Sequence, residues 1–132
     1  MAHVINFSEA ASIALHGMIL IGRSGEGMNV LRISELTGSS RHHVAKVMQR
    51  LVKEGFLRSQ RGPTGGFTLK KAPAEVTLLE LYETIEGKIV VNKCPHDNVI
   101  CPFEKCIFSN VTRKMTEEFI DYLRGETLDK YM

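Results

Sequence analysis

The stretch that decides the fold is SSRHHVAKVMQRL, Ser39 to Leu51, together with the RGPTGGFTL that follows it from Arg61 to Leu69. In the first, Val44, Val47, Met48 and Leu51 recur at helical spacing and form a buried stripe, while Arg41, His42, Lys46, Gln49 and Lys53 point away from it. Ser39 or Ser40 is suited to cap this helix, because a serine oxygen can accept from backbone N–H groups that have no partner inside the helix. Just upstream, Ile33 and Leu36 mark a short helix that ends at a turn on Gly38. Two short helices joined by a tight glycine turn make a helix-turn-helix candidate. After Gly55 the period changes. Phe56 to Arg61 and Gly66 to Lys70 read as two strands around a tip of Gly62, Pro63, Thr64 and Gly65, so a hairpin follows the basic helix directly, as in a winged helix.

Working outward, Phe7 to Gly22 reads as a helix with Phe7, Ala11, Ala14, Met18 and Ile21 on one face, closed by the glycines of Gly22 to Gly27. Thr77 to Glu86 forms a further amphipathic helix through Leu78, Leu81, Tyr82 and Ile85. Asn92 to Cys106 has two prolines, three cysteines and no periodicity, which predicts an exposed loop. A last helix is expected from Ile107 to about Arg124, with Phe108, Val111, Met115, Phe119 and Tyr122 on one face and Ile107, Ile120 and Leu123 widening it. That is more apolar surface than one helix hides against a small domain, and a partner subunit would cover it. The expected fold is mainly α with a small β-hairpin: a winged helix-turn-helix plus a long C-terminal dimerisation helix. The expected division is residues 1–90 as the winged-helix domain, 91–106 as the cysteine-rich loop and 107–132 as dimerisation helix and tail.

At 132 residues and 43% hydrophobic content the chain has room for one domain and an appended element. No apolar run reaches the roughly 18 to 20 residues that cross a bilayer, and no basic segment, apolar run and cleavage site open the chain, so the expected location is cytoplasmic, away from membranes. The net charge of +2 is unevenly spread. From Ser39 to Lys71, eight Lys and Arg residues stand against the single acid Glu54, a local +7, while nine basic and fourteen acidic residues leave the remainder at −5. A basic middle between acidic ends suits a local polyanion contact, since phosphates call for positive charge only where the backbone passes.

The candidate DNA-reading residues follow from this frame. The first outward side chains of a recognition helix meet base edges in the major groove, which selects Ser39, Ser40, Arg41, His42 and Lys46. Arg61, at the base of the hairpin tip, suits a narrow minor groove, and Gly65 lets the backbone turn closely. The glycine-rich tip is not a phosphate-binding Walker loop, because the lysine and Ser/Thr at the required spacing are missing. No Cys-x-x-Cys pair, carboxylate pair or nucleophile and base constellation marks an enzyme. All three cysteines, Cys94, Cys101 and Cys106, lie within 13 residues. An odd number so clustered points to metal binding or redox chemistry rather than a disulfide framework.

The run RGPTGGFTL, the LLELYETIEG of Leu78 to Gly87 and the three downstream cysteines resemble the Rrf-two family of bacterial winged-helix regulators, over nearly the whole chain. The resemblance implies a homodimer joined through the C-terminal helices and bound to a partly palindromic double-stranded DNA operator, and the leading expectation is a repressor. In cluster-binding members, three cysteines of this loop hold a [2Fe-2S] or [4Fe-4S] cluster that senses redox state, nitric oxide or iron. Thiolates are the ligands such clusters require, which agrees with the residues present. The spacing here is Cys-x6-Cys-x4-Cys, whereas some cluster-binding members have Cys-x5-Cys-x5-Cys, so the middle ligand is shifted. A fourth ligand used by some members, a histidine three residues past the last cysteine, is Ser109 here. The acidic residue that others donate from the first helix aligns with Ser12. His96 is the best local substitute, with Glu9 and Glu104 as weaker oxygen donors. The alternatives are a cluster-free thiol regulator, a zinc site of three cysteines and His96, or, from another class, a small redox protein or cluster carrier.

Overall fold

The structure is a computed structural model that describes residues 1–62, 65–91 and 101–132. Helix α1 spans Glu9–Ser24, with Ser8 as its cap, accepting from Ala11 N–H. It buries Ala11, Ile13, Ala14, Gly17, Met18 and Ile21. The expected periodicity is present, but the helix starts two residues after Phe7, which stays outside it and half exposed. Phe7 instead stacks in a triad with Tyr82 and Phe119, ring centroids 5.6–6.0 Å apart. Such aromatic pairs add about 0.5–1.5 kcal/mol beyond the area they bury.

Helices α2 (Val30–Thr37) and α3 (Arg41–Lys53) form the helix-turn-helix. Gly38 makes the turn at φ +73°, and its N–H donates to the Ser34 carbonyl at 2.9 Å. Strands β1 (Leu57–Gln60) and β2 (Gly66–Leu69) pair antiparallel, with Leu57 opposite Leu69 and Gln60 opposite Gly66. A third short element joins them. Met28, just before α2, bridges Phe67 through two backbone hydrogen bonds of 3.0 and 2.8 Å. The wing is thereby tied to the entrance of the helix-turn-helix.

Helix α4 (Leu78–Glu86) starts at a capping box, in which Thr77 and Glu80 satisfy each other's backbone N–H groups. Helix α5 runs over Val111–Gly125 rather than from Ile107. Ser109 and Asn110 take φ of +49° and +61°, which breaks the helical path ahead of Val111 even though the apolar spacing continues upstream of it. One core unites these elements: Met18, Ile33, Val44, Met48, Leu51, Leu57 and Leu81 meet Leu123 and Leu128 from the C-terminal end. The backbone pairs Leu78 N–H with Glu126 O and Leu128 N–H with Val76 O, so the end of α5 and the turn after it are built into the winged-helix core. The front of α5 is different. Val111, Met115 and Tyr122, with Ile107 ahead of them, form a partly exposed apolar strip beside Val4 and Ile5 of the N-terminal segment.

Candidate nucleic-acid interface and cysteine segment

Helix α3 presents its first turn outward because Val44, Val47, Met48 and Leu51 anchor the opposite face. Of the residues picked out from sequence, Arg41, His42 and Lys46 are exposed. None of their side chains has a hydrogen bond or ion pair among the described residues. Ser40 is the cap, its oxygen accepting from His43 N–H at 3.2 Å. Ser39 is half buried and its carbonyl accepts the Ser34 hydroxyl, which fixes the turn into α3. Arg61 is exposed at the end of β1. Gly65 closes the tip by donating its N–H to Gly62 O at 2.8 Å. A Cβ at Gly65 would stand 2.5 Å from Gln60 O and 2.7 Å from Gly62 O, so the tip admits no side chain there.

The local charge is trimmed by internal contacts. Arg50 donates to the Thr84 carbonyl at 3.0 Å and faces Glu54, and the Lys71 ammonium sits 4.5 Å over the Phe56 ring. Arg41, Lys46, Lys53, Arg58, Arg61 and Lys70 keep side chains without hydrogen bonds or ion pairs among the described residues. In the sequence Arg50 is one more basic residue; only the approach of the last turn of α4 to its guanidinium reveals its partner.

In the cysteine segment, Cys94 and His96 lie outside the described residues, as do Pro63 and Thr64 of the wing tip. Cys101 is exposed, its thiol 3.8 Å from the Phe103 carbonyl. Cys106 is half buried at the turn that leads into α5. The backbone N–H groups of Asn110 and Phe108, with Ser109 adding to them, hold its thiol below the ordinary value. That favours the thiolate, which is the form that ligates a metal and the form that reacts with oxidants. Cys106 therefore fits a thiolate-held group. Among the described residues no three His, Cys, Asp or Glu side chains converge on one point. Glu9, a weaker oxygen candidate, accepts from His43 Nδ1 at 3.0 Å, while Glu104 is exposed. Among the described residues no helix is long and apolar enough to cross a membrane.

Comparison with known proteins agrees with this architecture. The Rrf2 family model, described as an iron-dependent transcriptional regulator, matches residues 7–132. The HTH-type transcriptional regulator IscR of Pectobacterium carotovorum is 26% identical over 98 residues, which cover 74% of this chain and 60% of that protein. Among solved structures, CymR, the global cysteine regulator of B. subtilis, superposes with a TM-score of 0.73 at 21% identity, covering 96% of this chain and 95% of that one. IscR of T. potens does so with a TM-score of 0.73 at 19% identity, covering 96% and 85%. These likenesses show the winged-helix fold, and the family match over almost the full length decides the rest: the chain is a transcriptional regulator of the Rrf2 family, whose members are not enzymes.

Proposed function

We propose that this regulator acts as a homodimeric repressor whose operator affinity is set by an iron-sulfur cluster held on Cys94, Cys101 and Cys106. The observation that carries the cluster reading is Cys106, a thiol stabilised as thiolate by backbone N–H groups at the turn that opens α5. Such a cluster, when bound, supplies a redox-responsive and oxidant-sensitive group. The protein's own part is to hold it with thiolates next to the helix that joins the two subunits. His96 is the proposed fourth ligand. In this reading residues 1–90 are the DNA-reading head, 91–106 the sensor and 107–132 the dimerisation element, with the partly exposed strip of Val111, Met115 and Tyr122 meeting its copy in the partner.

On DNA, Arg41, His42 and Lys46 face the major groove, with Ser39 and Ser40 at the helix start. Arg61 enters the minor groove from a wing tip kept narrow by Gly65. An activated thiol with a cysteine-regulator structural relative also suits a second reading, in which the cysteines themselves respond by oxidation. Anaerobic purification followed by an absorption spectrum with iron and sulfide counts separates the two. A brown protein with stoichiometric iron and sulfide is expected; a colourless one, with or without zinc, contradicts the cluster reading.

A further inference from the structure

The last turn of α4 is an unusual meeting point. Glu83 uses its carboxylate to accept the N–H of Ile89, at 2.8 Å, on the strand of chain that leads to the cysteines. Thr84 offers its carbonyl, which has no partner inside the helix, to the Arg50 guanidinium at the far end of α3, at 3.0 Å. A cation at a helix C-terminus is also favoured by the helix dipole. Glu86 accepts the hydroxyl of Ser8, the cap of α1. Its neighbour Glu9, in the first turn of α1, accepts from Nδ1 of His43 at 3.0 Å. His43 in turn lies in the first turn of α3, its own N–H on the Ser40 cap. Between these residues Ile85 packs on the core.

Both ends of the recognition helix are thus tied to one helical turn, and that turn also holds the chain leaving toward the cysteines. The ties are few, polar and on the surface, so each can be exchanged without disturbing the buried stripe of α3. We infer that the Glu83–Glu86 turn couples the cysteine segment to the recognition helix, with Arg50 positioning the far end of α3 and the Ser8/Glu9 to His43 link positioning its reading end. The inference rests on the reading that the cysteines carry the signal, but not on which group they hold. A displacement of the chain at Ile89 pulls on Glu83, and the same turn passes it to Arg50 and His43. Coupling of this kind needs an element whose state both sites bias, and the α4 turn is that element. Arg50 and His43 are positioning residues; neither needs to touch DNA.

The test uses the full-length protein and iodoacetamide as the probe, with hydrogen exchange read before and after alkylation of the cysteines. In the wild type, exchange should change at residues 83–89 and also across 41–54, there on the order of two- to thirtyfold. In Arg50→Met the change should persist at 83–89 but vanish from the C-terminal half of α3, and Arg50→Lys, which can still donate to Thr84 O, should restore it. Glu9→Gln should weaken the response at the N-terminal half only. A wild type in which 83–89 or 41–54 does not respond overturns the inference, as does an Arg50→Met protein that responds as the wild type does. Operator binding of the unmodified wild type is measured alongside. Its absence would refute the DNA-binding proposal while leaving the exchange result to judge the coupling.

Discussion

Gly66→Ala is expected to unseat the wing. Gly66 has φ of +153°, and a Cβ there would lie 2.7 Å from both C and O of Met28 and 2.9 Å from the Asn29 nitrogen. All three are backbone atoms, so no flexible side chain can yield. Holding alanine in this conformation costs about 1–3 kcal/mol. Relieving the clash means drawing β2 away from Met28, which puts at risk two backbone hydrogen bonds to Phe67, each contributing about 0.5–1.5 kcal/mol. The sum, about 2–6 kcal/mol, is a large part of the roughly 5–15 kcal/mol that holds a domain folded. A fall in melting temperature of roughly 6–24 °C follows. Gly25→Ala is the control. Gly25 also has a positive φ, +69°, but nothing lies within 4 Å of its would-be Cβ. Its cost should be near 1–2 kcal/mol, a shift of roughly 3–8 °C. Thermal melts followed by circular dichroism measure both. Operator affinity, compared at a temperature where both variants are folded, should fall for Gly66→Ala and hold for Gly25→Ala. Equal melting shifts would refute the claim that Met28 anchors the wing.

Other outcomes follow from the same geometry. Replacing Lys46 or Arg41 by alanine should weaken operator binding, and for each side chain that meets a phosphate the slope of log affinity against log salt should shrink by about 1, measured by fluorescence anisotropy. Met115→Glu with Tyr122→Glu places two charges on the partly exposed strip of α5 and should shift the protein to monomer in size-exclusion light scattering without loss of helicity. Because the Cys106 thiol is held low, its thiolate persists to lower pH than that of an ordinary cysteine. Its alkylation, mapped by mass spectrometry, should therefore level off at a lower pH than that of free cysteine. A Cys106 profile superimposable on that of free cysteine would contradict this.

Much of the fold was legible because its signals are local. The stripe Ala11, Ala14, Met18 and Ile21 identifies α1, Thr77 identifies the start of α4, and Gly38 between two amphipathic stretches identifies the helix-turn-helix. What escaped sequence reading depends on chain segments far apart. Met28 carries no strand signal, yet it completes the wing against Phe67. Phe7 fits the helical period of α1 but leaves the helix to meet Tyr82 and Phe119. Ile107 and Phe108 continue the apolar rhythm of α5, while the left-handed Ser109 and Asn110 end it. For the site, residue types and order were readable, and so were the exposed Arg41, His42, Lys46 and Arg61. The tie between Arg50 and Thr84, 34 residues apart, and the backbone cradle of Cys106 were not, because both depend on backbone groups that sequence does not display.

The most direct test of the account is the operator affinity of one anaerobic preparation, measured with the proposed cluster assembled on the cysteine segment and again after it is removed. The account predicts affinities that differ by about tenfold or more, a coupling within the usual range of about 1–3 kcal/mol. Equal affinities in the two states would contradict it.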